Sequence, residues 1–189
     1  MSAEQLSLLD PAATLPEGFA YREDFVSAAE EAELVSHIAG LELREFEFHG
    51  YLGKRRVASF GLRYDFNDMA VHDATEMPEF LLPLRERAAG FAGLEPEALA
   101  HALVTEYTPG AAIGWHRDRP VFGDVIGISL GAPCRFRFRR KQGAGWERKS
   151  LTLMPGSAYL LRGRARHEWQ HSIPPVEALR YSATFRSTR

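Results

Sequence analysis

The feature that most constrains this chain is a short motif, His116-x-Asp118, which is followed much later by a histidine and then by a polar strand. In an extended segment, residues two apart point to the same side, so the side chains of His116 and Asp118 share a face. Two imidazoles and one carboxylate on one side of a metal leave its other positions open, as in non-haem Fe(II) oxygenases. The fold must therefore bring a distant histidine next to this motif. The simpler interpretation of the motif is a hydrogen-bonded pair in a loop.

Two histidines are candidates for the third ligand, His167 and His171. In a helix they would share a face, but Trp169 and Pro174-Pro175 disfavour a helix here. In an extended segment they again fall on one face, so periodicity does not choose between them. We expect the remaining histidines to be ordinary surface or partly buried residues, namely His37, His49, His72 and His101.

The C-terminal segment alternates polar and apolar residues. Its polar members are Arg180, Ser182, Thr184 and Arg186, and its apolar members are Tyr181, Ala183 and Phe185. Period two places the polar groups on one face of a strand. If that face lines a pocket, buried arginines need anionic partners, and a dicarboxylate supplies them. The alternative is an edge strand with a solvated polar face.

Composition limits the class of protein. At 189 residues, with 45% hydrophobic and 25% charged residues, the chain suits one globular domain. Cys134 stands alone, which excludes an intrachain disulfide and a multi-cysteine zinc site. With no apolar run of about 18 residues and no basic-then-apolar start, we expect a cytoplasmic protein. A net charge of −2 means that any contact with nucleic acid uses local patches.

The distribution of apolar residues predicts an α+β protein. We expect a flexible N-terminal arm at 1–18 and a single domain at 19–189. The capping box Ser27–Glu30 predicts a helix that ends near Gly40, and Pro78 could open a second helix that runs through Phe91. The segment 46–66 suggests a strand pair or a lid-like loop. After residue 101 the chain is rich in short strands, which favours a sandwich or open barrel. Those strands are predicted at 102–107, 125–130, 134–139, 151–154, 158–161 and 181–185.

Taken together, the order of these motifs resembles the AlkB family of nucleic-acid dioxygenases. The matching residues are Tyr107-x-x-Gly110, His116-x-Asp118, Ser129-Leu130-Gly131, Trp169-x-His171-x-Ile173 and Arg180-x5-Arg186. They span about 102–187, and the segment 46–66 fits more weakly. No single motif is specific, but their order and spacing together are.

The resemblance implies a double-stranded β-helix (jelly-roll) core with flanking N-terminal helices. It implies iron at His116, Asp118 and His171, and 2-oxoglutarate and O2 as co-substrates. Arg180 and Tyr107 would bind the far carboxylate of 2-oxoglutarate, and Arg186 would lie by its iron-chelating end. Thr105 and Ser182 stand where the family often has Asn, and both keep a hydrogen-bonding group. In the family, an N-methyl group is hydroxylated and leaves as formaldehyde.

The substrate is the point at which this chain departs from the family. DNA-repair members tend to carry an acidic residue at the position of Pro120, which cannot read the amino group of a base. A flipped base would stack on Phe60 or Tyr64, with the His116 ring as a second wall. Lys54, Arg55, Arg56 and Arg63 would meet phosphates. The alternatives are core packing for the aromatics and a solvated loop for the basic residues.

A second basic feature lies at Arg135, Arg137 and Arg139, which alternate with Cys134, Phe136 and Phe138. This outward row could follow a nucleic-acid backbone or protect an edge strand from pairing. The leading hypothesis is a monomeric demethylase of alkylated DNA or RNA. The alternatives are a same-fold oxygenase that acts on protein or a small molecule, and an inactive binding module.

Overall fold

The computed structural model describes residues 15–48, 51–65 and 70–188, and it describes side chains at 15–45, 54–62 and 72–188. Two main helices, α1 (Ala28–Ala39) and α2 (Leu82–Ala92), flank the strands, and α3 (Gly163–His167) is a single short turn. The strands are β1 (Phe19–Arg22), β2 (Arg44–Phe48), β3 (Tyr51–Phe60), β4 (Leu62–Asp65), β5 (Ala70–Asp73), β6 (His101–Tyr107), β7 (Ile113–His116), β8 (Phe122–Leu130), β9 (Cys134–Gln142), β10 (Gly145–Leu153), β11 (Ser157–Leu161), β12 (Gln170–Ile173) and β13 (Arg180–Thr188).

The helix ends follow local chemistry. Ser27 and Glu30 form the predicted capping box, since the Glu30 amide donates to Ser27 Oγ and the Ser27 amide to a Glu30 carboxylate oxygen. The second helix begins at Leu82 rather than at Pro78, and a 3-10 turn at Glu79–Leu81 precedes it. Pro83, which lacks an amide proton, therefore lies in the first helical turn, where that proton would be unpaired anyway.

Two antiparallel sheets form the body of the fold. The larger has the order β1-β11-β8-β13-β6-β3-β2, and the smaller has the order β10-β9-β12-β7. Strands β4 and β5 form a separate two-stranded sheet. The predicted segment 46–66 is thus a strand pair continued by β4, while its action as a lid stays a prediction. Residues 1–14 of the predicted arm lie outside the described part of the chain.

Each face of the larger sheet packs against a different layer. Tyr181, Ala183 and Phe185 of β13 belong to a core shared with α1 and α2. The opposite face meets the smaller sheet, where Phe136 and Trp169 join Tyr107 in a second core. The polar face of β13 therefore points between the two sheets, as its period-two pattern predicted. The functional residues collect in this inter-sheet space.

Among the described residues, no helix is long and apolar enough to cross a membrane.

Candidate metal and co-substrate site

Three side chains from separate elements converge between the sheets. Ligand atoms of His116, Asp118 and His171 all lie within 4.8 Å of one another. His171 Nε2 is 3.6 Å from a carboxylate oxygen of Asp118, and the two imidazole centroids are 4.3 Å apart. This is the set of two histidines and one carboxylate that the sequence motif predicted, and its donors suit Fe(II).

Strand pairing places the two imidazoles together. His116 ends β7, and its cross-strand partner on β12 is His171. Their side chains share the inner face because directly opposite residues of an antiparallel pair point to the same side. His167 ends α3 and is exposed, so the two candidate histidines do not share a face. Among the described residues, the cluster contains His171 and not His167.

The protonation states of the cluster suit metal binding at neutral pH. Burial, together with a smaller effect of the neighbouring His116, lowers the pKa of His171 to about 3. Burial also lowers the pKa of His116, although Asp118 opposes this. For Asp118, burial acts to raise the pKa, but Arg186 and the two histidines together hold it well below its usual range. Neutral imidazoles and an ionised carboxylate are the forms that bind metals.

The tautomer of one ligand is set by the backbone. His116 Nδ1 lies 2.9 Å from the carbonyl oxygen of Gly114. Because a carbonyl only accepts, this nitrogen carries the proton and Nε2 keeps its lone pair free to bind a metal. Phe136 stacks on the His171 ring with centroids 5.3 Å apart, which restricts the second imidazole.

Arg186 holds the carboxylate ligand. Its Nε donates to Asp118 Oδ1 at 2.6 Å, and its Nη1 lies 3.3 Å from His101 Nδ1. Burial lowers the pKa of His101 to about 3, so its neutral ring accepts from the guanidinium. Arg186 therefore lies beside the three candidate metal ligands, and its place by the iron-chelating end of 2-oxoglutarate stays a prediction.

Arg180 also projects from β13 into the space between the two sheets and is 1% exposed. Its Nη2 donates to Ser129 Oγ at 3.2 Å, and its guanidinium stacks on the Tyr107 ring at 4.6 Å. Its Nε and Nη1 atoms are buried and have no hydrogen-bond partner among the described residues. A buried guanidinium with two unpaired donors is costly, and it fits an anion that binds there.

Three residues with neutral hydroxyls lie on the strand face from which Arg180 projects. Thr105 and Ser182 face each other across the β6–β13 pair, and Ser182 also lies opposite Ser129 of β8. All three are buried. A carboxylate beside Arg180 would meet hydrogen-bond donors and no competing negative charge from these residues. The residues present thus fit 2-oxoglutarate as well as iron.

A family model described as the 2OG-Fe(II) oxygenase superfamily matches residues 18–189. This chain belongs to that superfamily. Within it the chain is AlkB-like. It is 31% identical over 193 residues to the "Alkylated DNA repair protein ALKBH8 homolog" of Arabidopsis thaliana, covering 89% of this chain and 54% of that protein. It is also 31% identical over 161 residues to the mitochondrial "Alpha-ketoglutarate-dependent dioxygenase alkB homolog 7" of Bos taurus, covering 80% of this chain and 65% of that protein.

The shape of the molecule agrees with this family. The solved structure of OsALKBH1 superposes with a TM-score of 0.70 at 16% identity, covering 90% of this chain and 96% of that one. At this identity the similarity supports the jelly-roll fold. The chain spans between about half and two thirds of the length of the two sequence relatives.

Two of the predicted substrate residues lie on the wrong face of β3. Phe60 is 7% exposed and packs in the core beside the helices, so it is not at the metal cluster. Arg56 is on that same face and makes a bidentate ion pair with Glu106 at 2.7 and 2.9 Å. The alternative interpretation, core packing, holds for Phe60. For Arg56, the paired carboxylate neutralises the charge that a phosphate would need.

Arg55 has the opposite orientation. It pairs with Tyr107 across the β3–β6 ladder and is partly buried, and burial lowers its pKa while Tyr107 raises it. Because Tyr107 belongs to the core between the sheets, Arg55 lies on the inter-sheet face of β3, and its charge helps to lower the pKa of His116. Lys54 is exposed beside the Thr108–Gly110 turn. The backbone of Arg63 and Tyr64 pairs with β5, but their side chains lie outside the described residues.

One buried arginine near the candidate site carries no signal in the sequence. Arg166, 3% exposed, donates to the carbonyl oxygens of Arg119, Phe122 and Gly123 at 2.7 to 3.0 Å. These carbonyls belong to the segment that follows Asp118, so Arg166 holds the loop that carries a metal ligand. No local pattern distinguishes it, because the three carbonyl groups that it binds lie more than forty residues away in sequence.

Proposed function

We propose that this chain is an Fe(II)- and 2-oxoglutarate-dependent dioxygenase that demethylates alkylated bases in DNA or RNA. The observation that carries the activity is the pairing of the His116–Asp118–His171 cluster with the buried, partly unpaired guanidinium of Arg180. A metal cluster alone also occurs in purely structural sites, and a buried arginine alone also occurs in structural ion pairs. Both on the inter-sheet faces of one fold match the two requirements of this chemistry, a metal with open positions and an anchored anionic co-substrate.

Each residue then has a distinct role. His116, Asp118 and His171 bind the iron from one side, and Arg186 keeps Asp118 ionised and oriented. Arg180 binds the far carboxylate of 2-oxoglutarate through its two free donors, with Tyr107, Thr105 and Ser182 around it. When bound, iron and 2-oxoglutarate supply the activation of dioxygen, with release of succinate and CO2. The apolar side chains of Phe136 and Trp169 exclude water from this space.

The proposal that the substrate is a nucleic acid rests on fewer observations than the proposed activity. One relative bears the name of an alkylated DNA repair protein. Arg55 adds a positive charge near His116, where a flipped nucleotide would bring its phosphate. Insertion of one oxygen atom into a C–H bond of an N-methyl group gives a hydroxymethyl amine, which loses formaldehyde and regenerates the base.

The test is mass spectrometry of oligonucleotides that carry 1-methyladenine or 3-methylcytosine. They are incubated with the protein, Fe(II), ascorbate and 2-oxoglutarate, and a parallel sample lacks 2-oxoglutarate. We expect loss of one methyl mass only with the co-substrate, no loss with Asp118→Asn, and unchanged loss with the matched control His167→Ala.

The outcomes separate the two parts of the proposal. Succinate that forms without any methyl loss would reject the nucleic-acid substrate and favour a protein or small molecule, in line with the exposed Pro120. No succinate under any condition would reject the enzyme. The cytoplasmic location and the monomeric state stay predictions.

A further inference from the structure

The outer face of the smaller sheet carries an unusual concentration of positive charge. Alternation turns five basic residues outward from β9 and β10, while Phe136 and Phe138 point into the core. These outward residues, the outer basic face, are Arg135, Arg137, Arg139, Lys141 and Arg148. The other outward strand positions of this sheet that the structure describes are Gly114, Trp115, Trp146, Ser150, Thr152, Gln170 and Ser172, so no carboxylate lies among them.

The arginines of this face bond to neutral groups. Arg135 donates to Ser150 Oγ at 2.7 Å, Arg137 to Ser172 Oγ at 3.1 Å, and Arg139 to the Gln170 side-chain oxygen at 2.7 Å. Such bonds orient a guanidinium but leave its charge uncompensated. On the inner side of the same strands, by contrast, Arg140 pairs with Glu147 and Glu168. Positive charge is neutralised inside and retained outside.

This arrangement opposes stability. Arg139 and Arg148 are direct cross-strand partners, and like charges at that position destabilise a sheet. Protecting an edge from pairing does not explain Arg135, Arg137 and Arg139, because β9 lies inside the sheet, between β10 and β12. A binding partner of opposite charge would explain why the repulsion is retained.

Two indole rings complete the surface. Trp115 lies under Arg137 and Arg139, with guanidinium-to-centroid distances of 5.0 and 4.6 Å. Trp146 lies under Arg139 at 4.3 Å and is 38% exposed. Stacked aromatic and guanidinium planes are the surfaces on which unpaired bases stack. Beside Trp115 a concave site of about 430 Å³ opens, and the residues that line it include Trp115, Arg135, Arg137, Arg148 and Ser150.

The outer basic face lies next to the candidate metal ligands, on the opposite side of β7. Trp115 directly precedes the metal ligand His116, and successive residues of a strand point to opposite faces. Since β7 is the edge strand of the smaller sheet, one extended chain can pass around it from the inner to the outer side. Basic residues two apart on β9 are about 7 Å apart, a spacing that suits successive phosphates of an extended single strand.

We infer that the outer basic face binds the single-stranded nucleic acid that flanks the modified base, with phosphates on the arginines, one base in the site beside Trp115 and another stacked on the exposed Trp146. This inference rests on the proposed function, since it assigns the path of that substrate beyond the catalytic cavity. An acidic protein segment would use the charge but not the exposed indole and the cavity.

The experiment measures binding and does not depend on demethylation. Fluorescence anisotropy follows the full chain on a labelled, unmodified oligothymidylate of about 20 nucleotides, over a range of salt concentrations. Arg135→Gln with Arg148→Gln removes two exposed charges. We expect affinity to fall about tenfold and the slope of log K against log salt to shrink by about 1.4, at about 0.7 per phosphate contact. The matched control, Arg22→Gln with Arg44→Gln, removes two exposed charges from the edge strands of the larger sheet and should change neither value.

A second variant tests stacking without a change of charge. Trp146→Ser should weaken binding at least about fivefold, the lower range for loss of one base stack. Thermal melting verifies that each variant is folded. Equal weakening by both double variants, unchanged binding in the outer-face variants, or equal competition by polyglutamate would each overturn the interface.

The results also separate this inference from the proposed function. If the outer-face substitutions weaken binding but no methyl group is removed, the interface stands and the demethylase is rejected. If methyl groups are removed but the outer-face substitutions leave binding unchanged, the demethylase stands and the interface is rejected.

Discussion

Replacing Arg180 by Met should have opposite effects on two quantities, stability without ligands and affinity for 2-oxoglutarate. The side chain is 1% exposed and has two unpaired donors, while one bond to Ser129 and the stack on Tyr107 partly offset its burial. Methionine is apolar and flexible, so it removes the buried charge and fills similar space. Replacing buried charge by apolar groups is neutral or stabilising by about 1–4 kcal/mol. The protein without ligands should therefore melt at the same temperature or higher.

Co-substrate binding should fall steeply in the same variant. Two charge-assisted hydrogen bonds at about 1.5–3 kcal/mol each amount to at least about 3 kcal/mol, or a factor of more than about 100 in Kd. At a ligand concentration of about 100 Kd, 2-oxoglutarate stabilises the unaltered protein by about 2.7 kcal/mol. In the variant that gain should fall to about 0.4 kcal/mol or less. For a domain of this size the melting shift falls from about 5–10 °C to about 1 °C.

The assay is thermal melting with and without 2-oxoglutarate, in the presence of Mn(II) in place of iron to prevent turnover. Arg22→Met, an exposed arginine outside the cavity, is the matched control and should keep the full ligand-dependent shift. A variant that loses several kcal/mol without ligands, yet keeps the normal shift with 2-oxoglutarate, would show that Arg180 is structural. That result would refute the reasoning from its unpaired donors.

Three further predictions follow from the site. His171→Ala should abolish Fe(II) binding, measured by calorimetry, whereas His167→Ala should retain it. The reverse result would show that His167 is the third ligand. Arg166→Met removes three hydrogen bonds to the loop after Asp118. Fe(II) affinity should therefore fall at least about tenfold while the protein stays folded. An unchanged Fe(II) affinity would reject this positioning role. In the metal-free protein, His101 and His171 have pKa values of about 3, well below the unfolded value. The unfolded chain thus binds more protons between about pH 6.5 and 3, and stability falls with acidification by up to about 1.4 kcal/mol per pH unit for each histidine. Urea titrations of His101→Gln should show a shallower fall, and an identical pH profile would contradict the assignment.

Several elements could be predicted from the sequence because their signals are local. The capping box of α1 lies within four residues, and the alternation on β13 needs only a period of two. The motif order predicted the metal ligands, and the structure brings His116, Asp118 and His171 within 4.8 Å of one another, while the roles of the co-substrate residues stay predictions. By contrast, β7 and β12 are four residues each, so they carry too little pattern to be recognised. Their pairing, which aligns His116 with His171, depends on contacts distant in sequence.

By itself, the sequence determined which chemistry the chain carries: the ligand types, the alternating faces of β9 and β13, and the family to which their order belongs. Only the tertiary structure decided which of the alternating residues of β3 face the space between the sheets. Arg55 points inward while Arg56 pairs with Glu106, and Phe60 packs against the helices. The physical reason is strand register. Period two assigns alternate residues to opposite faces, but the pairing with β6 decides which set faces the site.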